Sequence, residues 1–306
     1  MRETTLPSVT GICDLHVCTW DCPEPRAVLQ LVHGMSEFIL RYDEFARFLN
    51  GHGIAVVGCD NASHGQSRRA EDPWGYFGAT GGWDNLLADV HSVRGVAAAA
   101  YPGLPLFLMG HSMGSFLARS YAARHGEGIR AFIFMGTAGP NPALPFAKRL
   151  AAREIRKTGG KTPCLMLDKL VAGAYNTAFK PNRTDFDWLS RDEERVDAYI
   201  ANEACGFPFT AAGYRDLFEG LEEISSKDWA PKVPKAPILL LSGAKDPVGG
   251  KDARGVKVVA DRLSKSGHGV ELQLYAYARH ELLNEINRDE VMADILDFLE
   301  RALEEA

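Results

Sequence analysis

The sequence predicts an α/β fold, a mostly parallel, doubly wound sheet interrupted by a helical insertion, and two observations carry that prediction. Short apolar runs of strand length alternate with helical patterns over residues 1–139, a rhythm that requires parallel pairing and buries strands on both faces. The rhythm stops after position 139 and resumes at 238, leaving Pro-punctuated helical segments with no convincing buried strand between them. The expected organisation is a core of residues 1–139 and 238–306 carrying a helical cap of residues 140–237.

Each element follows from its local pattern. Residues 13–22 alternate as a strand does, 27–32 (AVLQLV) form a buried strand, and 39–50 carry helical spacing. A second buried strand, 54–58 (IAVVG), precedes a helix over 84–100 that ends before Tyr101-Pro102-Gly103. Then come a strand at 104–109, a helix at 113–124 closed by Gly126, and a strand at 130–136 (RAFIFMG). In the insertion, 144–157, 165–179 and 210–225 read as amphipathic helices, and 181–191 reads as a loop. The closing elements are a strand at 238–242 (ILLLS), a helix at 252–264, a strand at 270–277 and a helix from 281 to the end.

Composition narrows the function classes. The chain has 306 residues, enough for one large domain or two smaller ones, and its net charge of −6 comes without any basic block. That balance supplies no footprint for nucleic acid or anionic lipid. Residues 1–11 show no apolar signal segment, and no uncharged apolar run reaches the roughly 18 residues a spanning helix needs. The expectation is a soluble, cytoplasmic chain with no stable membrane insertion. Six cysteines suit a reduced compartment; Cys13, Cys18 and Cys22 cluster with His16, but without a C-x-x-C pair they read as buried strand thiols rather than metal ligands.

Chemistry concentrates where the 104–109 strand runs through Gly110-His111-Ser112-Met113-Gly114 into a helix. This G-x-S-x-G pattern between strand and helix makes a tight turn that lifts the serine hydroxyl above the sheet edge. A serine nucleophile needs a base, and the base needs an orienting acid. Three histidines follow Ser112: His125, His268 and His280. His125 ends the serine's own helix and reads as a helix C-terminal cation, and His268 reads as a surface turn residue. His280 lies past the last strand, at the edge where carboxyl ends gather, and is the expected base. Asp246, after the 238–242 strand, is the expected acid, with Asp252 read as an alternative or as the cap of the next helix. The expected oxyanion donors are the amides of Met113 and Met35. His33 and Gly34 either shape that loop or form an ordinary turn, and Glu37 either braces it or is a solvated carboxylate.

These stretches together resemble the α/β-hydrolase superfamily, and within it the monoacylglycerol lipase-like and lysophospholipase-like serine hydrolases that carry a serine aminopeptidase S33-type domain. The resemblance rests on 31–37 (LVHGMSE), 60–67 (DNASHGQS), 110–115 (GHSMGS), 242–249 (SGAKDPVG) and 278–285 (ARHELLNE). It implies Ser112, Asp246 and His280 as a catalytic triad, Met35 and Met113 as oxyanion donors, and His33, Gly34, Glu37 and His111 in support. Residues 185–190 (DFDWLS) also resemble bacterial members. Two positions depart from the pattern: Phe38 stands where a second histidine is common, and Ser63 replaces a glycine. The resemblance implies that both loops border the acyl-binding crevice, so the departures bear on substrate preference.

The implied activity is hydrolysis of small-molecule carboxylic esters, of monoacylglycerol or lysophospholipid type, through an acyl-enzyme, with no metal or organic cofactor required. The cap offers Phe146, Leu150, Leu165, Met166, Leu167, Leu170, Phe179 and Phe207 either to shield an acyl chain or to pack on the core. A homodimer is compatible with the reading. An aminopeptidase of the same fold needs an acidic pocket, for which Asp185, Asp187, Glu193, Glu194 and Glu203 are available. A non-catalytic binding protein on this fold is the third reading.

Overall fold

The computed structural model describes residues 1–304. Eight strands form a single sheet in the order β1-β2-β4-β3-β5-β6-β7-β8. They are β1 (Arg2–Pro7), β2 (Asp14–Trp20), β3 (Ala27–Val32), β4 (Ile54–Cys59), β5 (Leu106–His111), β6 (Ala131–Met135), β7 (Ile238–Gly243) and β8 (Val270–Tyr275). From β4 to β8 every pairing is parallel, and β2 runs antiparallel to both β1 and β4. The mostly parallel α/β-hydrolase architecture expected from the sequence is the one observed.

Alternation along each central strand builds two cores. In β3, Val28 and Val32 point to one face while Leu29 and Leu31 point to the other; in β5, Leu106 and Leu108 oppose Phe107 and Met109. Helices α2 (Gly82–Ala100), α3 (Met113–His125) and α8 (Arg254–Lys265) cover the first face. The second is covered by α1 (Asp43–Asn50) and α9 (Arg288–Glu304), through Phe45, Leu49, Ile295, Phe298 and Leu299. Strands β3 to β7 are buried throughout, as runs sandwiched between helix layers must be. The edge strand β8 instead alternates between half-buried and exposed residues. Among the described residues no helix is long and apolar enough to cross a membrane.

Several local expectations are corrected. Strand β1 has no counterpart in the pattern reading, because its side chains are mostly exposed and its only pairing is with β2. The 39–50 helix splits into a 3-10 turn over Ile39–Tyr42 and α1. The 165–179 segment divides into α5 (Leu165–Ala172) and a 3-10 turn over Tyr175–Phe179, and α6 (Glu193–Ala201) follows the 181–191 loop. The last helix starts only at Arg288, after a 3-10 turn over Leu282–Asn284. Asp252 does not cap α8; it sits at φ 52° within a 3-10 turn, and Ala253 occupies the cap. His268 is buried, its Nε2 lying 3.1 Å from the Ala230 carbonyl, so it is not a surface turn residue. His125 is the exposed last residue of α3, where its partial burial, followed by the neighbouring His91, Arg124 and Arg94, lowers its pKa from the ordinary value.

Between β6 and β7 the chain leaves the sheet for α4 (Leu144–Thr158), α5, α6 and α7 (Ala211–Ser225). A single buried arginine on α3 grips both roots of this excursion. Arg119 donates to the Ala138 carbonyl (2.8 Å), to Thr137 Oγ1 (3.2 Å) and to the Ile224 carbonyl (2.9 Å), and its guanidinium stacks 4.4 Å over Trp229. Burial without a carboxylate partner pushes this arginine down to about 9. Arg119→Ala leaves carbonyls unpaired and a void under Trp229, so it should lower unfolding stability by about 3–5 kcal/mol in urea titrations. Arg119→Lys, which cannot fork across these acceptors, should recover less than half of that loss.

Candidate active site

Ser112 sits between the end of β5 and the first residue of α3 at φ 53°, ψ −122°, a conformation that costs a non-glycine residue strain. Its amide donates to the Met135 carbonyl of β6 at 2.9 Å, which pins the turn to the sheet. The flanking glycines are required by close approach. A Cβ at Gly110 would lie 2.1 Å from the Gly114 carbonyl oxygen, and one at Gly114 would lie 2.1 Å from the Val32 carbonyl oxygen. The G-x-S-x-G spacing thus records backbone crowding on both sides of the serine.

His280 follows β8 and Asp246 follows β7. The structure brings them together, with His280 Nδ1 3.0 Å from Asp246 Oδ2 and both side chains buried. The other Asp246 oxygen accepts from the Val248 amide at 2.8 Å, which fixes the carboxylate plane. With Nδ1–H committed to Asp246, Nε2 of His280 is the free acceptor. Ser112 and His280 line the same cleft, of about 1480 Å³, together with Met35 and Met113. Among the described residues, neither the Met35 nor the Met113 amide N–H has an acceptor in the chain. Asp252 takes no part in this cluster.

Beneath the cleft lies a buried polar network that explains the supporting residues. Glu37 Oε1 accepts from the Gly34 amide (2.6 Å), the Tyr42 hydroxyl (2.9 Å) and His111 Nδ1 (3.0 Å), while Oε2 accepts from Arg41 (2.6 Å). Arg41 also grips Glu281 with two bonds of 2.7 and 2.6 Å. His111 Nε2 faces the His280 carbonyl at 3.3 Å, and the two imidazoles lie 4.8 Å apart. Burial alone would raise the Glu37 carboxyl, but the His111 bond and the Arg41 charge hold it well below the usual carboxylate range. Burial would lower His111, yet its bond to Glu37 and the charges of Glu37 and Glu281 leave it raised. Glu37 is therefore an internal brace, not a solvated carboxylate. His33 is buried and held neutral by desolvation, its Nδ1 2.8 Å from the Gly34 carbonyl and its Nε2 accepting from the Asn61 amide at 2.8 Å.

Pattern reading assigned no role to Arg41, Tyr42, Glu281 or Trp188. The Glu37–Arg41 spacing of four residues was the visible signal for the first of these. Trp188 carried none, because its partner is remote in sequence: its ring lies 5.0 Å from that of His280. The Trp188 and Leu189 carbonyls accept from the His280 and Glu281 amides at 3.4 and 2.8 Å. The loop that carries Phe38 borders the cleft through Met35, Ser36 and Glu37, whereas the 60–67 loop does not. Neither Phe38 nor Ser63 lines the cleft. Phe38 borders a separate small hollow beside Arg41, and Ser63, at φ 63°, bonds the Pro73 carbonyl and the Tyr76 amide.

The network makes stability pH-dependent in a defined direction. Glu37 is depressed below its ordinary 4.5, so its contribution is complete above that pH and fades as the pH falls. His111 is raised above 6.5, so its contribution is complete below that pH and fades as the pH rises. Glu37→Gln should cost about 3 kcal/mol in urea titrations. The deficit should be largest between pH 4.5 and 6.5, the window bounded by the ordinary values of the two groups. A deficit that does not vary with pH would show that no ion pair is formed.

The family model described as "Serine aminopeptidase, S33" matches residues 23–287. The chain is 27% identical to a monoacylglycerol lipase of Mycolicibacterium smegmatis over 279 residues, covering 90% of this chain and 89% of that protein. It is 30% identical to the human monoglyceride lipase over 274 residues, covering 86% and 78%. A thermostable carboxyl esterase from Bacillus coagulans, solved in complex with glycerol, superposes with a TM-score of 0.93 at 30% identity, covering 99% and 98%. With the family model matched across the sheet and the insertion alike, the chain belongs to the serine aminopeptidase S33 family, in the monoacylglycerol lipase-like part of the α/β-hydrolases.

Proposed function

We propose that this carboxylic ester hydrolase uses Ser112 as nucleophile, His280 as general base and acid, and Asp246 as the orienting carboxylate. The single observation that carries the reading is the His280–Asp246 bond of 3.0 Å, set in the same cleft wall as a strained, glycine-flanked Ser112. His280 Nε2 takes the Ser112 proton as Oγ bonds to the ester carbonyl carbon. The resulting oxyanion is held by the Met35 and Met113 amides. As the tetrahedral carbon collapses, His280 returns the proton to the departing alcohol oxygen and leaves an acyl-Ser112. A water then loses its proton to His280, attacks the acyl carbon and releases the acid, regenerating Ser112. The Trp188 ring over the imidazole supplies an electron-rich face to the imidazolium formed in each half-reaction.

Monoacylglycerols, or acyl esters of lysophospholipid type, are the proposed substrates. Residues 140–237 are the proposed cap over a core of 1–139 and 238–306. Of the cap residues expected to meet an acyl chain, Phe146, Leu170 and Phe207 line the cleft, joined by Leu144, Val171 and Leu217. Leu167 instead belongs to the core, while Leu165 and Met166 are exposed away from the cleft lining. A peptidase acting on N-terminal residues is disfavoured by the same survey. Of the five acids available for a substrate amine, only Asp185 lines the cleft, and Asp187 is consumed by bonds to the Arg183 and Thr184 amides. The six cysteines are unpaired, which supports a reducing compartment such as the cytoplasm.

Wild-type protein should be labelled by a fluorophosphonate probe, and Ser112→Ala should abolish labelling and ester hydrolysis together. An unlabelled wild type would favour a non-catalytic binding protein. Asp246→Asn should lower kcat by about 10⁴-fold with an unchanged melting temperature, since an amide cannot orient or stabilise the imidazolium. Asp252→Asn should leave kcat within about twofold, because surface substitutions remote from a site rarely disturb it. The reverse pattern would exchange the two aspartates. Against monoacylglycerols, lysophospholipids and amino-acid arylamides, measurable turnover should be confined to the esters, and preferential arylamide cleavage would overturn the substrate proposal.

A further inference from the structure

A second cluster of reactive side chains lies at the antiparallel edge of the sheet, where the proposed ester chemistry has no use for it. His16 and Cys18 are two apart on β2 and therefore share a face, and Glu3 on β1 sits directly opposite Cys18 in the register. His16 Nε2 lies 2.7 Å from Glu3 Oε2 and 3.6 Å from Cys18 Sγ. The three donor atoms fall within 4.8 Å of one another. Cys18 and His16 are buried, whereas the Glu3 side chain is 47% exposed, so the cluster opens to solvent on one side only.

The far side of the imidazole is held as a metal-binding histidine is held. Its Nδ1 lies 3.0 Å from Asp60 Oδ2, and that carboxylate is locked by the Gln66 amide (2.8 Å) and the Ile39 amide (2.7 Å). The His16 amide is tied in turn to Ser67 Oγ at 2.8 Å. A carboxylate bound to one imidazole nitrogen orients the ring and raises the basicity of the other nitrogen. Zinc–sulfur and zinc–nitrogen bonds of about 2.3 and 2.05 Å at a tetrahedral angle separate their donor atoms by about 3.5 Å. Cys18 Sγ stands 3.6 Å from Nε2 and 4.0 Å from Nδ1, over the ring face, so it must swing toward the Nε2 edge to share a cation with it. Glu3 must withdraw from 2.7 Å to about 3.3 Å from Nε2, a movement its exposed, edge-strand side chain allows.

We propose that Glu3, His16 and Cys18 form a binding site for a borderline-soft divalent cation, zinc foremost, with Asp60 as the carboxylate behind the histidine and water in the fourth position. Binding requires the Cys18 sulfur as thiolate and a free lone pair on His16 Nε2, so any protons on those atoms leave to solvent as the cation enters. With three protein donors, one of them a half-exposed carboxylate, the expected affinity is on the order of micromolar rather than the far tighter binding of four-cysteine sites. The site staples β1, which touches the sheet through β2 alone, to β2 and, through Asp60, to the 60–67 loop.

Cobalt is the probe, because a cobalt–thiolate bond absorbs in the near ultraviolet and reports the cysteine directly. Chelator-treated full-length protein should bind one cobalt ion with a charge-transfer band, and zinc should displace it and raise the melting temperature. Cys18→Ser should remove the band, and Glu3→Gln, an exposed change that leaves the core intact, should weaken binding by at least about tenfold. Cys22→Ser and Cys205→Ser should leave the titration unchanged. No charge-transfer band at about 1 mM cobalt would overturn the site, as would a band that survives Cys18→Ser or wild-type affinity in Glu3→Gln. If Cys18→Ser does not fold, the Glu3→Gln titration and its zinc-dependent melting shift decide the question alone.

Discussion

The arrangement depends most on one buried carboxylate. Glu37 receives hydrogen bonds from the loop after β3, from the 3-10 turn that follows it and from His111 next to the serine, and through Arg41 it reaches Glu281 beside His280. Three stretches far apart in sequence, around 34–42, at 111 and at 281, are thereby referred to a single pair of oxygens. Such a charge is costly to bury, and it is tolerated here because four donors converge on the carboxylate, three on Oε1 and the Arg41 guanidinium on Oε2. A Cβ on Gly34 would stand 2.6 Å from one of those oxygens, so the loop bearing Met35 is moulded to the carboxylate itself.

His280 is positioned from outside the sheet as well as beneath it. The segment around Trp188 belongs to the excursion between β6 and β7, yet its carbonyls and indole meet the His280 loop, while Arg191 bonds the fully buried Glu285 at 2.8 Å and Ser190 Oγ bonds the Asn284 carbonyl at 2.8 Å. This part of the excursion is a wall of the site. The α4 and α5 part is different in kind, with Phe146, Leu165 and Leu170 substantially exposed. The surroundings of the cleft are thus divided between a hydrogen-bonded wall at 188–191 and a rim with exposed apolar side chains on α4 and α5.

Legibility in the sequence followed locality. The strands β3 to β7 were readable because burial on both faces leaves long apolar runs, and Ser112 was readable because its glycines answer to contacts within a few residues and one neighbouring strand. Strand β1 was not, since an exposed edge strand needs no apolar pattern, and α6 was masked by its charged surface. His268 looked like a turn residue from its glycine neighbours, while its burial is imposed by the Ala230 carbonyl from another segment. Phe38 and Ser63 looked like substrate contacts from their place in the motifs, and the fold turns both away from the cleft.

By itself the sequence determined the class of the fold, the order of Ser112, Asp246 and His280 along the chain, and which amides stand next to the serine and the first crossover loop. Those properties are set by hydrophobic period and by backbone sterics, which act over a few residues. Only the tertiary structure decided which aspartate reaches His280, what holds Glu37 ionised, that Trp188 faces the imidazole, and that Glu3 meets His16 and Cys18 across a strand pair. Each of these is a contact between segments distant in the chain, whose distances of about 3 Å exist only once the sheet has fixed the register and the loops have closed over it.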